Sequence, residues 1–376
     1  MIFGKLATHL GRLGKKCMDK SFWEGKNVLI TGHTGFKGAW LSLILSTFNT
    51  RLAGISADED QSRLLWNSVK SSFAMDSHLI DVTNIKALEK VFFDVRPEIV
   101  FHLAAQPLVY EAYVNPTETL QTNIMGTVNI LECIKTCKTV KSAVIVTSDK
   151  VYDDGSPGPY KENDSLGGGE IYSASKAATE IIISAYRNAF ESSLAQCGIA
   201  TARAGNVFGG GDGSKNRVVP DLFAAFESKQ ALNLRNPSNI RPWQHIFDLI
   251  NGYTLLAQKL YLNPKDYEGA WNFSNPSMEI SVNSIVSQFA SHIFEITGEA
   301  VEIRDSRAGL EFFYETKLLS LNSTKARTEL GWLPKYNLAE AIEETTAWYI
   351  GQIRGRTEIE TASLSKAKFR DYLEKK

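Results

Sequence analysis

Between Lys26 and Ala204 the chain alternates short β-rich runs with segments of helical period, and this alternation constrains the fold more than any other feature. Asn27 to Ile30 reads as a strand, Gly32 to Gly38 as a glycine-punctuated turn and Ala39 to Phe48 as a helix. The pattern then repeats. Arg51 to Ser56, His78 to Asp81, Ile99 to Leu103, Ser142 to Thr147 and Gly198 to Ala204 read as further strands, with helices predicted over Ile85 to Val95, Asn123 to Thr136 and Ser173 to Phe190. Parallel neighbours need crossovers of this length, and helices on the crossovers cover both faces of the sheet. The expected fold class is therefore α/β with a doubly wound parallel sheet. Beyond Asn206 the order becomes irregular, with Gly209-Gly210-Gly211 and a helix-rich tail that suits a smaller C-terminal lobe.

The turn Gly32-His33-Thr34-Gly35-Phe36-Lys37-Gly38 places glycines at i, i+3 and i+6 between the first strand and the first helix. Glycine there lets backbone N–H groups approach a pyrophosphate at the helix N-terminus. In its strand-before, helix-after context the turn reads as the dinucleotide loop of a Rossmann domain rather than a plain tight turn. A carboxylate after the second strand would accept from ribose hydroxyls and repel a 2′-phosphate, which favours NAD over NADP. Asp58 stands there; Glu59 and Asp60 beside it could take the role, and a solvated loop acid is the alternative. At 376 residues the chain exceeds one ordinary core. The expected division is an N-terminal extension over 1–22, an NAD-binding Rossmann domain over 23–205 to which 240–262 returns, and a mainly substrate-binding lobe over 206–376.

Composition narrows the function classes. Hydrophobic residues at 43% and charged residues at 22% suit a packed globular chain, and a net charge of −1 gives no basic excess for a nucleic-acid backbone. Cys17, Cys133, Cys137 and Cys197 lack the spacing of a zinc site and fit reduced thiols, so no metal is expected. No stretch reaches the roughly 18 apolar residues of a membrane span, and the expectation is a soluble, cytoplasmic protein. Phe3, Leu6, Leu10 and Leu13 recur at helical spacing beside Arg12, Lys15, Lys16 and Lys20. That opening segment reads as a short covering helix or a leader ahead of Met18, with a membrane-surface helix as the other reading.

Two further segments carry chemistry. Tyr172-Ser173-Ala174-Ser175-Lys176 opens a helix and sets Tyr172 and Lys176 one turn apart, where an ammonium would favour the phenolate and let Tyr172 act as a base. Thr147-Ser148-Asp149-Lys150 lies at the C-terminal end of a strand, where ligands of α/β sheets bind. An Asp-Lys pair there supplies an acid and a possible base to one substrate, which an elimination needs and a hydride transfer alone does not. A surface ion pair is the plainer alternative.

On these residues the chain resembles the extended short-chain dehydrogenases/reductases, matching their Y-x-x-x-K pair at Tyr172 and Lys176, and the likeness runs from Phe22 onward. The glycine turn, His102-Leu103-Ala104-Ala105-Gln106-Pro107, Arg203-Ala204-Gly205-Asn206-Val207 and Arg241-Pro242-Trp243-Gln244-His245, with Asp149-Lys150 in place of Asp-Glu, resemble the CDP-D-glucose 4,6-dehydratase family. The resemblance implies a lyase of deoxysugar and surface polysaccharide (O-antigen) biosynthesis. It implies NAD held by Gly32, Thr34, Gly35, Phe36, Lys37, Gly38, Asp58, Asp81, Val82, Leu103, Ala104, Ala105, Gln106, Asn123, Thr147, Tyr172 and Lys176. It implies a nucleotide-sugar met by Gln106, Asn206, Arg217, Arg241 and His245. NAD would oxidise sugar carbon 4 while Tyr172, aided by Thr147 or Ser148, removes the hydroxyl proton. Lys150 would then take the carbon 5 proton, Asp149 would protonate the departing carbon 6 hydroxyl, and the product would be CDP-4-keto-6-deoxyglucose. A homodimer built on the helices from Asn123 and from Ser173 is expected by the same analogy. Another nucleotide-sugar dehydratase, an epimerase or a decarboxylase on this scaffold is the nearest rival; a catalytically idle NAD-binding regulator would be expected to lose Tyr172 or Lys176, and both are present.

Overall fold

The structure, a computed structural model, describes residues 19–155, 158–305 and 316–375. The amphipathic opening segment and Met18 lie outside them. The strands are β1 (Asn27–Thr31), β2 (Arg51–Ser56), β3 (Asp76–Leu79), β4 (Ile99–His102), β5 (Ser142–Val146), β6 (Gly198–Ala204), β7 (Asn206–Phe208), β8 (Leu232–Leu234), β9 (Ile240–His245), β10 (Gly269–Phe273), β11 (Glu279–Ser281) and β12 (Ile303–Asp305). Among the described residues, seven of them form one parallel sheet in the order β10-β6-β5-β4-β1-β2-β3. The chain starts at β1, builds β2 and β3 to one side, then crosses to β4, β5 and β6 on the other. The strand order therefore reverses between β1 and β4, and the crevice outside their carboxyl ends is where such sheets bind ligands.

The sheet is covered by α1 (Phe36–Ser46), α2 (Ile85–Val95), α3 (Gly126–Thr136), α4 (Ile171–Ala189) and α5 (Ile246–Leu262). Alternation of side chains along each strand splits the core. Val28, Ile30, Ile99, Phe101, Val144, Ala200 and Ala202 bury one face against Trp40, Leu41, Phe247 and Leu256 of α1 and α5. Leu29, Val100, Ala143, Ile145 and Ile199 bury the other against Leu88, Val91, Ile130, Leu131 and Ile183 of α2, α3 and α4. Outside this sheet, β9 joins β11 and β7, and β8 joins β12.

Three elements differ from the sequence expectation. The third strand runs from Asp76 to Leu79, because Asp76 already pairs with Ala53 and the Asp81 carboxylate ends the extended run by accepting from the Thr83 amide and hydroxyl, each at 2.8 Å. The first helix starts at Phe36, with Gly35 as its N-cap, so that Phe36, Lys37 and Gly38 form its first turn. The edge strand β10 pairs with β6 from a segment beyond 240–262; a five-residue run opening with glycine and containing Asn272 carries little strand signal. Among the described residues no helix is long and apolar enough to cross a membrane.

Candidate active site

The glycine turn closes over the end of β4. Gly32 has φ of +74°, and a Cβ there would lie 2.8 Å from the Ala104 nitrogen. A Cβ on Gly38 would collide with the Gly32 carbonyl oxygen. Both positions thus require glycine for a backbone cradle at a helix N-terminus, the arrangement a dinucleotide pyrophosphate fits. Thr34 pins the turn to the end of β2: its amide donates to Ser56 Oγ at 3.2 Å and its hydroxyl to the Asp58 carbonyl at 2.9 Å. Asp58 therefore stands beside the cradle, and its carboxylate receives Arg63 Nε at 3.0 Å and Nη2 at 3.2 Å. Glu59 turns to Lys70 and Asp60 to the Ser62 amide and hydroxyl, so each of the three acids has a partner of its own.

At the end of β4, Leu103 donates to the Thr31 carbonyl and Ala104 to the Thr31 hydroxyl, and Ala105 and Gln106 continue the loop. Val82 is buried behind it, while Asp81 is exposed and engaged in its own turn. Asn123 and Gln106 are held by bonds within the protein. Asn123 is buried and clamps the Gln106 backbone, accepting from its amide at 2.8 Å and donating to its carbonyl at 3.1 Å, and also donates to Ser175 Oγ at 2.9 Å. It positions the loop against α4. The Gln106 side chain is taken up by Leu108 and Thr119.

The reactive groups gather where β5 meets α4. Glu170 caps α4 by accepting from the amides of Tyr172 and Ser173, at 2.6 and 2.9 Å, so the tyrosine is held in the first turn. Burial pushes the Tyr172 phenol up to about 12; a hydrogen bond to Ser148 opposes this, and the nearby Asp149 adds to it. Lys176 is buried one turn on and donates to the Val146 carbonyl at 3.3 Å, with burial pulling its ammonium down to about 8 against the pull of Glu180. In this geometry burial, and not a neighbouring ammonium, dominates the Tyr172 phenol.

The Thr147 hydroxyl donates to Glu180 at 2.5 Å, and Ser148 is the hydroxyl partner of Tyr172. Asp149 is buried. Ser148 Oγ donates to its Oδ1 at 2.8 Å, while its Oδ2 has no hydrogen-bond partner. Burial raises its carboxyl above the usual range, although Lys150, the Ser148 bond, Arg241 and Lys37 oppose the shift. A buried carboxyl with one bare oxygen in a ring of cations is suited to delivering a proton.

Lys37 reaches this cluster from α1. Part of its side chain is accessible, but its ammonium is enclosed and is lowered to about 8 by burial and by Arg217. Arg217 lies close enough to act on both Lys37 and Tyr172, and is anchored on Asp212 at 3.1 Å. Arg241 is buried on β9, with Nη1 donating to the carbonyls of Ile240 and Lys317 and its charge felt at Asp149. Asn206, half-buried, opens β7 opposite Trp243. His245 does not join them: its Nδ1 caps α5 by accepting from Phe247, and its ring packs among Phe208, Phe247 and Tyr336.

The sequence reading missed the group that ties these elements together. Glu180 accepts from Thr147, from Thr201 at 2.8 Å and from Arg203 through Nε and Nη2, each at 2.9 Å. Arg203 also donates to Tyr152, whose hydroxyl donates to Asn272 of β10. Two signals were available: Glu180 follows Lys176 by one helical turn, and Arg203 alternates with the inward Ala202 and Ala204.

The chain matches the family described as GDP-mannose 4,6 dehydratase over residues 29–345. It is 38% identical to CDP-glucose 4,6-dehydratase of Salmonella typhimurium over 366 residues, covering 95% of this chain and 98% of the relative. It is 23% identical to dTDP-glucose 4,6-dehydratase of Haemophilus influenzae, covering 86% and 98%. Among solved structures, the epimerase Mth375 of Methanothermobacter thermautotrophicus superposes with a TM-score of 0.75 at 26% identity, covering 90% and 98% of the two chains. The dTDP-glucose 4,6-dehydratase of Bacillus anthracis in complex with NAD shares the fold with a TM-score of 0.71 at 21% identity, covering 87% and 97%. By sequence and by architecture, this chain belongs to the GDP-mannose 4,6 dehydratase family of extended short-chain dehydrogenases/reductases and is a homologue of CDP-glucose 4,6-dehydratase.

Proposed function

We propose that the chain is a hydro-lyase converting CDP-D-glucose to CDP-4-keto-6-deoxy-D-glucose in deoxysugar and surface polysaccharide biosynthesis. The observation that carries this reading is the buried Asp149, followed by the half-buried Lys150, beside the Tyr172–Ser148 bond, in a chain sharing 38% identity with a CDP-glucose 4,6-dehydratase. The cradle of Gly32, Gly35 and Gly38 with Asp58 would hold NAD, with Leu103 to Gln106 as its other wall. When bound, NAD would supply the hydride acceptor for sugar carbon 4 and the hydride donor for carbon 6, and its positive charge would favour the Tyr172 phenolate.

Tyr172 takes the carbon 4 hydroxyl proton, with Ser148 holding the phenolic oxygen in place. Arg217, Arg241 and Lys37 form the cationic wall that faces a substrate diphosphate, as forked guanidinium groups do well. The new ketone acidifies carbon 5, and Lys150 removes that proton. Asp149 then protonates the leaving carbon 6 hydroxyl through its bare Oδ2, water departs, and Lys150 returns a proton to carbon 5 as hydride is added back at carbon 6. In this reading residues 23–205, with 240–262 and β10, carry the cofactor, and the elements around β7 to β9 carry the substrate. The protein would work in the cytoplasm.

Incubating the purified protein with CDP-, dTDP-, UDP- and GDP-hexoses tests this. A 4-keto product lighter by the mass of one water should form fastest from CDP-glucose on the order of tenfold or more, the margin one lost set of base contacts gives. Epimerised product without loss of water would refute the dehydratase reading.

A homodimer is part of the same proposal. Leu120, Met125 and Ile181 are exposed on the neighbouring helical segments at 36%, 49% and 59%, an apolar face that two copies would cover through a four-helix contact. Light scattering at micromolar concentration should give twice the chain mass, and Ile181→Lys should shift it towards the monomer. A monomeric wild type would end the proposal.

A further inference from the structure

The adenosine end of the crevice carries a feature that goes beyond this reading while resting on it. A pocket that admits only a ribose diol presents a carboxylate with no compensating charge, which repels a 2′-phosphate; a pocket for the phosphate presents an arginine. This chain holds both at one place. Asp58 follows β2, tied to the cradle through Thr34, and Arg63 meets it with two parallel N–H···O bonds at 3.0 and 3.2 Å. Arg63 also lines the small recess formed by Thr34, Phe36, Ser62 and the backbone from Gly211, so its guanidinium lies beside the nucleotide loop and not out on the surface.

The neighbouring acids do not restore the repulsion. Glu59 is paired with Lys70 at 3.3 Å, and Asp60 is turned onto Ser62, although it too feels the Arg63 charge. The Asp58–Arg63 pair is half-exposed, with side chains 47% and 31% accessible, so it can open without stranding a buried charge. Two of the five guanidinium N–H donors serve Asp58, which leaves donors for a phosphate oxygen.

We propose that Arg63 is a specificity-determining residue that makes the ribose pocket charge-neutral, so that the chain binds NADP⁺ as well as NAD⁺. The guanidinium swings from Asp58 to the 2′-phosphate when NADP⁺ is bound and screens Asp58 from the diol pocket when it is not. Titration calorimetry of NAD⁺ and NADP⁺ into the full-length protein freed of nucleotide tests this. The wild-type Kd values should lie within about 30-fold of each other, and Arg63→Gln should widen that ratio at least about tenfold by weakening NADP⁺, the scale of a charge-assisted phosphate contact. Asp58→Asn should move the ratio the other way, towards NADP⁺. A wild-type preference for NAD⁺ beyond about 30-fold, or a ratio that Arg63→Gln leaves unchanged, overturns the proposal. If neither nucleotide binds the wild type, the cofactor reading itself falls, and this one with it; if NAD⁺ binds normally and only the ratio is indifferent to Arg63, the fault lies in the role given to Arg63 alone.

Discussion

Replacing Asp149 by Asn or Lys150 by Met will leave NAD bound and the first oxidation running, while formation of the 6-deoxy product falls by about 10²–10⁴-fold, the usual contribution of a positioned acid or base. The separation follows from where the groups sit. Tyr172 and Ser148 form one hydrogen-bonded unit, and Asp149 attaches to it only through Ser148, keeping Oδ2 bare. Neither Asp149 nor Lys150 is needed to take the carbon 4 hydroxyl proton. Burial holds the Asp149 carboxyl above its usual range, so its protonated form persists to higher pH than that of a solvent-exposed aspartate. The amide introduced by Asp149→Asn would keep the shape of the carboxyl and lose its acidic proton.

Tyr172→Phe should behave differently, suppressing even the transient NADH absorbance on adding substrate. Wild-type product made in heavy water should carry deuterium at carbon 5, because Lys150 exchanges its protons with solvent. Full turnover in Lys150→Met would reassign the carbon 5 base to water or Tyr172.

Glu180→Gln will lower stability by about 3–5 kcal/mol, the cost of breaking a buried pair and leaving one charge uncompensated. For a chain of this size that is a fall in Tm of about 4–6 °C. The two partners are each only 4% exposed, so solvent does little to screen the loss. The carboxylate accepts from two threonines and from two N–H groups on one edge of the guanidinium, and an amide cannot accept all four. Pairing it with Arg203→Met should recover part of the loss, since removing both charges ends the desolvation cost. A thermal melt in which Glu180→Gln stays within about 2 °C of wild type would show that the pair contributes little.

The sheet was legible because its central strands are apolar on both faces and its helices keep a clean period, so local sequence and global fold agree. Boundaries moved where a side chain intervened: Asp81 cut β3 short, and the close packing of Gly38 on Gly32 drew Phe36 into the helix. Strand β10 was hidden because Gly269 and Asn272 are poor strand formers that pairing with β6 overrides. In the site, motif spacing located Tyr172, Asp149 and the glycine turn, but spacing cannot say which of two adjacent hydroxyls faces which partner. Thr147 and Ser148 point to opposite sides of β5's end, one to Glu180 and one to Tyr172. Nor does a matching run say what each of its residues touches: His245 caps α5 and packs against Phe247. Arg63 escaped notice because a half-buried arginine in a loop has no periodic signature.

The position of β10 bears on how the molecule can be made and cut. The nucleotide sheet ends on a strand encoded at 269–273, after β7, β8 and β9 have already left it. A ribosome must therefore synthesise more than two thirds of the chain before the sheet can close, and until then β6 presents an open edge with Arg203 lacking the Tyr152–Asn272 link. No contiguous fragment ending near 205 contains the whole sheet. The segment from 206 to 268 is in effect an insertion between two neighbouring strands.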